Sequence, residues 1–387
     1  MSKDRSLKVG VVGLGFIGPA HIEGIRRQGV EVLGIAEFSP ELAREKAEQL
    51  NIPVAYASYE AMLQDPAIDI VHICSPNFLH FPQAKQALLA GKHVVCEKPL
   101  TITSAEAKEL VELAKEKRLV NAINFNLRFY PVNFEARHLV QKEEFGKVFI
   151  VQGSYLQDWL LYPTDWNWRL DSDQGGALRA VADIGSHWID LVMFITGLKV
   201  DQVFADLKTF YPIRKKPVSR VETFSNQEQS AAIEYEDKQV ETEDYASILI
   251  RFENGGKGIL SVSQMSAGRK NRLFYEIDGA GSAVSWDSEH PNDLWIGHRN
   301  CRNELLIKDP SLMSNEGKAV ASYPGGHAEG FPDTFKQLQK KVYAYILKND
   351  FSIEPDFPTF RDGYISLLIE EAVLKSSQTD TWVSIHE

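Results

Sequence analysis

The chain has 387 residues, 44% hydrophobic and 25% charged, with 42 Lys plus Arg against 53 Asp plus Glu and a formal net charge of −11. These values exclude a disordered chain, a fibre and a small disulfide scaffold, and the length predicts two or three domains. An acidic balance gives no electrostatic reason for nucleic acid or an anionic membrane surface as partner. Three scattered cysteines, Cys74, Cys96 and Cys301, make neither a disulfide framework nor a zinc cluster, which points to a reduced, cytoplasmic setting. Met1–Arg5 is short and charged and Leu7–Val12 is only strand-length, so no secretory leader is expected. No stretch reaches the roughly 18–20 apolar residues of a membrane span.

The first third alternates short apolar runs with helical spacing. Leu7–Val12, Val32–Ala36, Ile70–Cys74, His93–Cys96 and Leu119–Asn124 read as strands; Pro40–Leu50, Phe81–Ala90 and Ser104–Lys117 read as helices. Ser39 before Pro40 is an N-cap followed by proline at the first helical position, and Thr103 or Ser104 with Glu106 starts the later helix. Such alternation predicts an α/β domain with a parallel sheet covered on both faces.

After about Asn126 the pattern changes. Lys147–Tyr155, Val200–Phe210, Ala246–Phe252, Lys257–Gln264, Arg272–Asp278 and Ala283–Trp286 are strand-like, joined by turns such as Glu253-Asn254-Gly255-Gly256. A mostly antiparallel sheet is expected there. Phe331–Leu347 and Arg361–Leu374 read as late helices, and Pro212–Asp244 as a long polar surface excursion. The expected domains are therefore 1–126, binding a dinucleotide, and 127–387, binding substrate and carrying oligomer contacts.

Gly13-Leu14-Gly15-Phe16-Ile17-Gly18 follows a strand and opens a helix. The first glycine permits the tight turn, the second lets backbone approach a pyrophosphate, and the third lets helix pack on strand. Glu37 ends the second strand at about the ~20-residue spacing of a ribose-binding acid. A carboxylate there accepts both ribose hydroxyls and repels a 2′-phosphate, so NAD is favoured over NADP; Arg44, one to two turns on, keeps NADP in play. Strand ends Cys74-Ser75-Pro76-Asn77 and Cys96-Glu97-Lys98-Pro99 place Ser75, Asn77, Glu97 and Lys98 at the carboxyl edge of the sheet, where the nicotinamide half of a cofactor would lie.

Lys98, between an apolar strand and Pro99, is either a surface charge or a lysine held near a reacting carbon. In Ala182–Asp190, Asp183 and His187 are four apart and share a face if the segment is helical. An aspartate raises a histidine's basicity and fixes its tautomer, which suits removal of a hydroxyl proton. A helix start with a satisfied polar histidine, or a metal on Asp183, His187 and Asp190, fits the same residues; without a cysteine or second histidine, no metal is expected.

Gly13–Gly18, Glu97-Lys98-Pro99 and Gly175-Gly176 followed by Asp183-x-Gly185-x-His187-x-x-Asp190 resemble the glucose–fructose oxidoreductase, inositol dehydrogenase and rhizopine catabolism (Gfo/Idh/MocA) family over nearly the whole chain. The resemblance implies an N-terminal Rossmann domain plus a C-terminal α/β domain on a large open, mostly antiparallel sheet, often used to oligomerise. It implies Lys98, Asp183 and His187 as the catalytic set, with His187 accepting the proton, Asp183 supporting it and Lys98 lowering the alcohol's pKa or orienting it. It places Asn77 and His80 near the nicotinamide and Asn124–Phe129, with Asn126 and Arg128, at the substrate cleft. Asp165–Arg169 and Gly325–Gly330 look like segments of sugar-oxidising members, which adds Trp166, Arg169 and His327; core packing explains the tryptophans equally well.

The expected function is an NAD-dependent dehydrogenase acting on a secondary hydroxyl of a sugar, glycoside or cyclitol, in a homodimer or homotetramer. Two alternatives are an NAD-using glycosidase of the same family and a non-catalytic nucleotide-dependent regulator. Stoichiometric NADH separates the dehydrogenase from both.

Overall fold

The computed structural model describes residues 6–218 and 234–387. Met1–Arg5 and the middle of the predicted Pro212–Asp244 excursion lie outside the described residues. The chain divides into two compact units, Met1–Asn126 with Pro332–Leu367, and Leu127–Phe331 with Leu368–Glu387.

The first unit runs β1 (Lys8–Val12), α1 (Ile17–Arg26), β2 (Glu31–Ala36), α2 (Pro40–Gln49), β3 (Val54–Ala55), α3 (Tyr59–Gln64), β4 (Ile70–Ile73), α4 (His80–Leu89), β5 (His93–Cys96), α5 (Ser104–Lys117) and β6 (Asn121–Ile123). The sheet order is β3-β2-β1-β4-β5-β6, all parallel, so strand order reverses between β1 and β4. β4 is fully buried, as a sheet covered on both faces requires. Ser39 and Ser58 cap α2 and α3, and Thr103 with Glu106 closes a capping box on α5.

Residues 332–367 were expected in the second domain, and the structure corrects this. Phe335 packs edge-on against His21, and Phe360 and Leu367 join the core cluster of Val71, Ile73, Leu110 and Ile123. Amphipathic periodicity shows that a late helix has an apolar face but not which sheet that face covers.

The second unit contains α6 (Pro131–Val140), β7 (Val148–Leu156), α7 (Ser172–Gly175), α8 (Ser186–Thr196), β8 (Val200–Lys208), β9 (Ile213–Pro217), β10 (Tyr235–Gln239), β11 (Tyr245–Phe252), β12 (Lys257–Ser263), β13 (Arg272–Gly279), β14 (Ala283–Asp287), β15 (Asp293–Gly297), β16 (Glu304–Ile307), α9 (Asn315–Val320) and β17 (Val383–Ser384). One sheet runs β16-β15-β14-β13-β7-β12-β11-β8-β17, and only the β12–β7 pairing is parallel. Along β11, Ala246, Ile248 and Ile250 are buried while Leu249 points outward. Leu249 pairs with Ile259 on β12 and Phe204 on β8. With Phe149 and Ile150 also exposed, the outward face of the sheet carries apolar side chains. β9 and β10 pair as a separate ribbon.

The predicted surface excursion is corrected at its ends: Arg214, Thr242, Glu243 and Asp244 are all buried. Charge density alone reads as solvated surface, but here opposite charges neutralise each other inside the unit.

Candidate active site

In the first unit, Gly13 adopts φ +81°, and a Cβ there would lie 2.6 Å from the Ser75 backbone nitrogen. The close approach of the β1 and β4 ends at the switch point therefore demands glycine. A Cβ on Gly18 would lie 2.5 Å from the Gly13 carbonyl oxygen, whereas one on Gly15 would have no protein atom within 4 Å. Gly15 thus leaves open space where the motif requires a phosphate to approach. Phe16 is exposed and Ile17 half-buried beside it. α1 and α4, the helices following the switch-point strands, have no side-chain cap hydrogen bond, unlike α2, α3 and α5. The leading N–H groups of α1 suit an anion, whereas α4 continues a 3-10 turn that takes the His80 N–H. Glu37 Oε1 accepts the Leu14 N–H at 2.5 Å and Oε2 the Phe38 N–H at 3.3 Å, holding the carboxylate against the glycine loop. This set fits a dinucleotide.

At the β4 and β5 ends, Ser75 Oγ donates to Gln83 Oε1 at 2.6 Å, and Asn77 is buried. His80 was expected at the nicotinamide. The structure sets its two ring nitrogens 2.7 Å from the Pro99 carbonyl and 2.8 Å from the Ser75 carbonyl. The ring clamps the two strand-end loops together, and burial lowers its pKa. The Lys98–Pro99 peptide is cis, Glu97 is buried and Lys98 half-buried. Asn126, expected to reach substrate, is buried and donates from Nδ2 to Thr334 Oγ1 at 2.8 Å.

In the second unit, the segment expected as one α-helix begins as a π-helical turn, Val181–Gly185, and becomes α-helical at Ser186. Wide turns of this kind often accompany functional sites. Asp183 Oδ2 accepts Gln264 Nε2 at 2.9 Å, and Oδ1 lies 3.2 Å from Arg169 Nε. Arg169 also stacks over Trp168, 4.4 Å from the ring centroid. His187 is buried, its ring 6.3 Å from that of Tyr155. Asp190 holds Arg128 through a bidentate ion pair, with Arg128 Nε 2.7 Å from Oδ2. That pairing commits both the arginine expected at substrate and the third member of the metal alternative. Trp166 packs against the cluster of Leu160, Leu170 and Val240, and His327 is exposed.

Sequence reading missed what holds this helix. Glu243 accepts the Arg179 N–H at 3.0 Å and the Val181 N–H at 2.8 Å, capping the helix start from a distant part of the chain. Arg179 and Arg214, both buried, share the carboxylate of Asp244. Burial pushes the Glu243 carboxyl up. Burial also pushes on Asp244, but the two guanidiniums outweigh it and hold the carboxyl below its ordinary range. No spacing rule could have paired residues this far apart; the one available sign was a charged Glu241–Asp244 run just before an apolar strand.

The first unit is a dinucleotide-binding domain, and the second offers a buried histidine and a half-buried aspartate, the makings of an alcohol-oxidising enzyme. Residues 7–125 match the model of the Gfo/Idh/MocA oxidoreductase family with an NAD-binding Rossmann fold, and residues 134–284 match the Gfo/Idh/MocA C-terminal domain. The chain belongs to the Gfo/Idh/MocA family and is an NAD(P)-dependent oxidoreductase acting on CH–OH groups. It is 28% identical to levoglucosan dehydrogenase of Pseudarthrobacter phenanthrenivorans, over 98% of both chains. It is 25% identical to myo-inositol 2-dehydrogenase of Thermotoga maritima, over 98% of this chain and 99% of that one. A solved levoglucosan dehydrogenase in complex with NADH and levoglucosan superposes with a TM-score of 0.88 at 27% identity, over 99% of this chain and 100% of that one.

Proposed function

We propose that the protein oxidises a secondary hydroxyl of a sugar, glycoside or cyclitol, with NAD preferred over NADP. The carrying observation is the buried His187 on a helix whose Asp183 is fixed by Gln264 and Arg169. Relatives named for a sugar and a cyclitol support the substrate class. Gly13–Gly18 and Glu37 hold the dinucleotide, whose nicotinamide supplies the hydride acceptor. His187 takes the hydroxyl proton, Asp183 supports the imidazole as it gains charge, and Lys98 lowers the pKa of the hydroxyl. Arg169 acts by holding Asp183. Preference for NAD rests on Glu37, whose carboxylate suits ribose hydroxyls and repels a phosphate.

The test is a panel of sugars and cyclitols with each cofactor, read by nicotinamide absorbance. One class should yield NADH in proportion to oxidised product. Sugar release without net NADH, or no response from any sugar or cyclitol, would overturn the reading.

The outward sheet face with Phe149, Ile150, Leu249 and Ile259 exposed suits burial against a second copy, so a homodimer or homotetramer with closed symmetry is part of the proposal. Light scattering checks it: a mass near 43.6 kDa would reject the oligomer. The free thiols of Cys74, Cys96 and Cys301 fit a reducing cytoplasm.

A further inference from the structure

Four side chains of the first unit line up end to end. Tyr343 Oη lies 2.8 Å from His72 Nε2, His72 Nδ1 2.8 Å from His21 Nδ1, and His21 Nε2 2.8 Å from Glu97 Oε1. All four are buried, both histidines at 0% exposure. Glu97 Oε1 also accepts Asn124 Nδ2 at 2.5 Å, and Oε2 accepts the backbone N–H of Lys98 at 3.2 Å. Neither dinucleotide binding nor the proposed proton transfer to His187 uses Tyr343, His72 or His21.

Proton counting gives the chain a direction. The contact between two Nδ1 atoms needs one proton, no more and no fewer. If His72 carries it, His72 Nε2 accepts from the phenol, His21 Nδ1 accepts from His72, and His21 Nε2–H donates to Glu97, which is then a carboxylate. Every donor has an acceptor and both imidazoles are neutral. If His21 carries it, His72 must donate to Tyr343 Oη, and the phenol hydrogen has no acceptor among the hydrogen bonds of the described residues. That arrangement also buries one extra proton, either on His21 as imidazolium or on Glu97.

We propose that Tyr343, His72 and His21 form a one-way hydrogen-bond chain that ends on Glu97, fixes it as an aimed carboxylate, and so makes His21 and His72 positioning residues for the Glu97-Lys98-Pro99 turn. The proposal rests on Lys98 acting in the reaction. The Glu97 carboxylate holds the Lys98 backbone N–H, and a turn fixed in this way keeps the side chain in register. The titratable groups facing Glu97 are His21 from α1, Cys74 at the end of β4, His80 from α4, and Cys96 and Lys98 beside it in sequence. Burial raises both thiols and lowers His80, which leaves them neutral. Burial pushes Glu97 up, yet His21, Lys98 and Asn124 together hold it below its ordinary range. Burial likewise holds His72 well below the usual histidine range.

Nitrogen NMR of the full-length protein labelled at histidine tests the direction without reference to activity. His72 should show the Nδ1–H tautomer and His21 the Nε2–H tautomer at neutral pH, with signals assigned by His72→Gln and His21→Gln. The reverse tautomers, or an imidazolium at either position, would overturn the proposal. Kinetics test the positioning role. His21→Leu removes the donor to Glu97 and frees the Glu97-Lys98-Pro99 turn, so the loss should fall on kcat. At neutral pH kcat should fall about tenfold. His21→Gln, whose amide still reaches Glu97, should restore most of it, and Tyr343→Phe should have the smallest effect. A His21→Leu enzyme with unmodified kcat, or one whose loss His21→Gln does not restore, would also overturn the proposal. Should that variant not fold, the tautomers of the unmodified protein decide. Normal turnover by Lys98→Ala alongside the expected tautomers would instead fault the role given to Lys98.

Discussion

The two units reach chemical competence by opposite routes. In the first, functional groups come as contiguous stretches, each following a strand of one parallel sheet: Gly13–Gly18 after β1, Ser75–Asn77 after β4 and Glu97–Pro99 after β5. A parallel sheet delivers its strand ends to one edge, so residues adjacent in sequence arrive together. In the second, the helix bearing Asp183 and His187 is held by residues from all over the unit: Glu243 at its start, Gln264 and Arg169 on Asp183, and Arg128 on Asp190. The groups proposed to hold the dinucleotide are encoded locally, and the setting of Asp183 and His187 non-locally. Single changes should therefore be contained in the first unit and propagate in the second.

The largest expected effect is on turnover. Removing a positioned acid–base group costs about 10²–10⁴-fold in rate, so His187→Ala and Lys98→Ala should lose most of kcat. NADH binding, followed by fluorescence titration, should persist in both. Near-normal turnover by either on the best substrate would remove that residue from the proposed chemistry.

Next comes the buried charge cluster. Asp244→Asn leaves Arg179 and Arg214 without their shared carboxylate, and breaking a buried pair costs about 3–5 kcal/mol. Urea unfolding should show the loss, and a change under about 1 kcal/mol would mean that water compensates the arginines. The pH dependence carries opposite signs within the cluster. Asp244 has a depressed folded pKa, so its contribution is present above the unfolded carboxylate range and lost as pH falls through the folded value. Glu243 has a raised folded pKa, so its contribution is full below the ordinary value of 4.5 and lost as pH rises through the folded value. Glu243→Gln should flatten the high side of the stability profile and Asp244→Asn the low side.

The contrast between the units explains what the sequence made legible. The glycine loop, Glu37 and the capped helices from Ser39 and Thr103 are read from neighbours in the chain, because turn chemistry and caps act over three or four residues. The short β3, α3, β15 and β16 elements escaped, since two to six residues hold too little periodicity to stand out. Arg214 and Asp244 were read as surface because their neutralising partners are visible only in space. His80 and Asn126, placed near cofactor and substrate by resemblance, spend their side chains on backbone carbonyls and on Thr334.

Two glycines of one loop provide a sharper test of containment. Gly13→Ala meets Ser75 backbone at 2.6 Å and a positive φ, so it should cost stability and binding together. Gly15→Ala meets nothing within 4 Å, so thermal stability should stay within about 0.5 kcal/mol. NADH affinity should nonetheless drop about tenfold or more, because the methyl occupies the space a pyrophosphate needs. Unchanged affinity in Gly15→Ala would place the pyrophosphate elsewhere.

The smallest effect concerns cofactor choice. Glu37 is half-buried with its two oxygens on the Leu14 and Phe38 N–H groups, so the carboxylate faces the loop that cradles the dinucleotide. Hydrogen bonds to a charged group are worth about 1.5–3 kcal/mol, so Glu37→Ser should lower kcat/KM for NAD about tenfold. Loss of the negative charge should at the same time raise kcat/KM for NADP. Arg44 limits that gain, since its guanidinium is exposed and already pairs with Glu41 at 2.8 Å. The preference should therefore narrow more readily than it inverts, and Glu41→Gln added to Glu37→Ser should release Arg44 and push it further toward NADP. Equal kcat/KM for the two cofactors in the unmodified protein would refute the role of Glu37, while leaving the local encoding of the glycine loop intact.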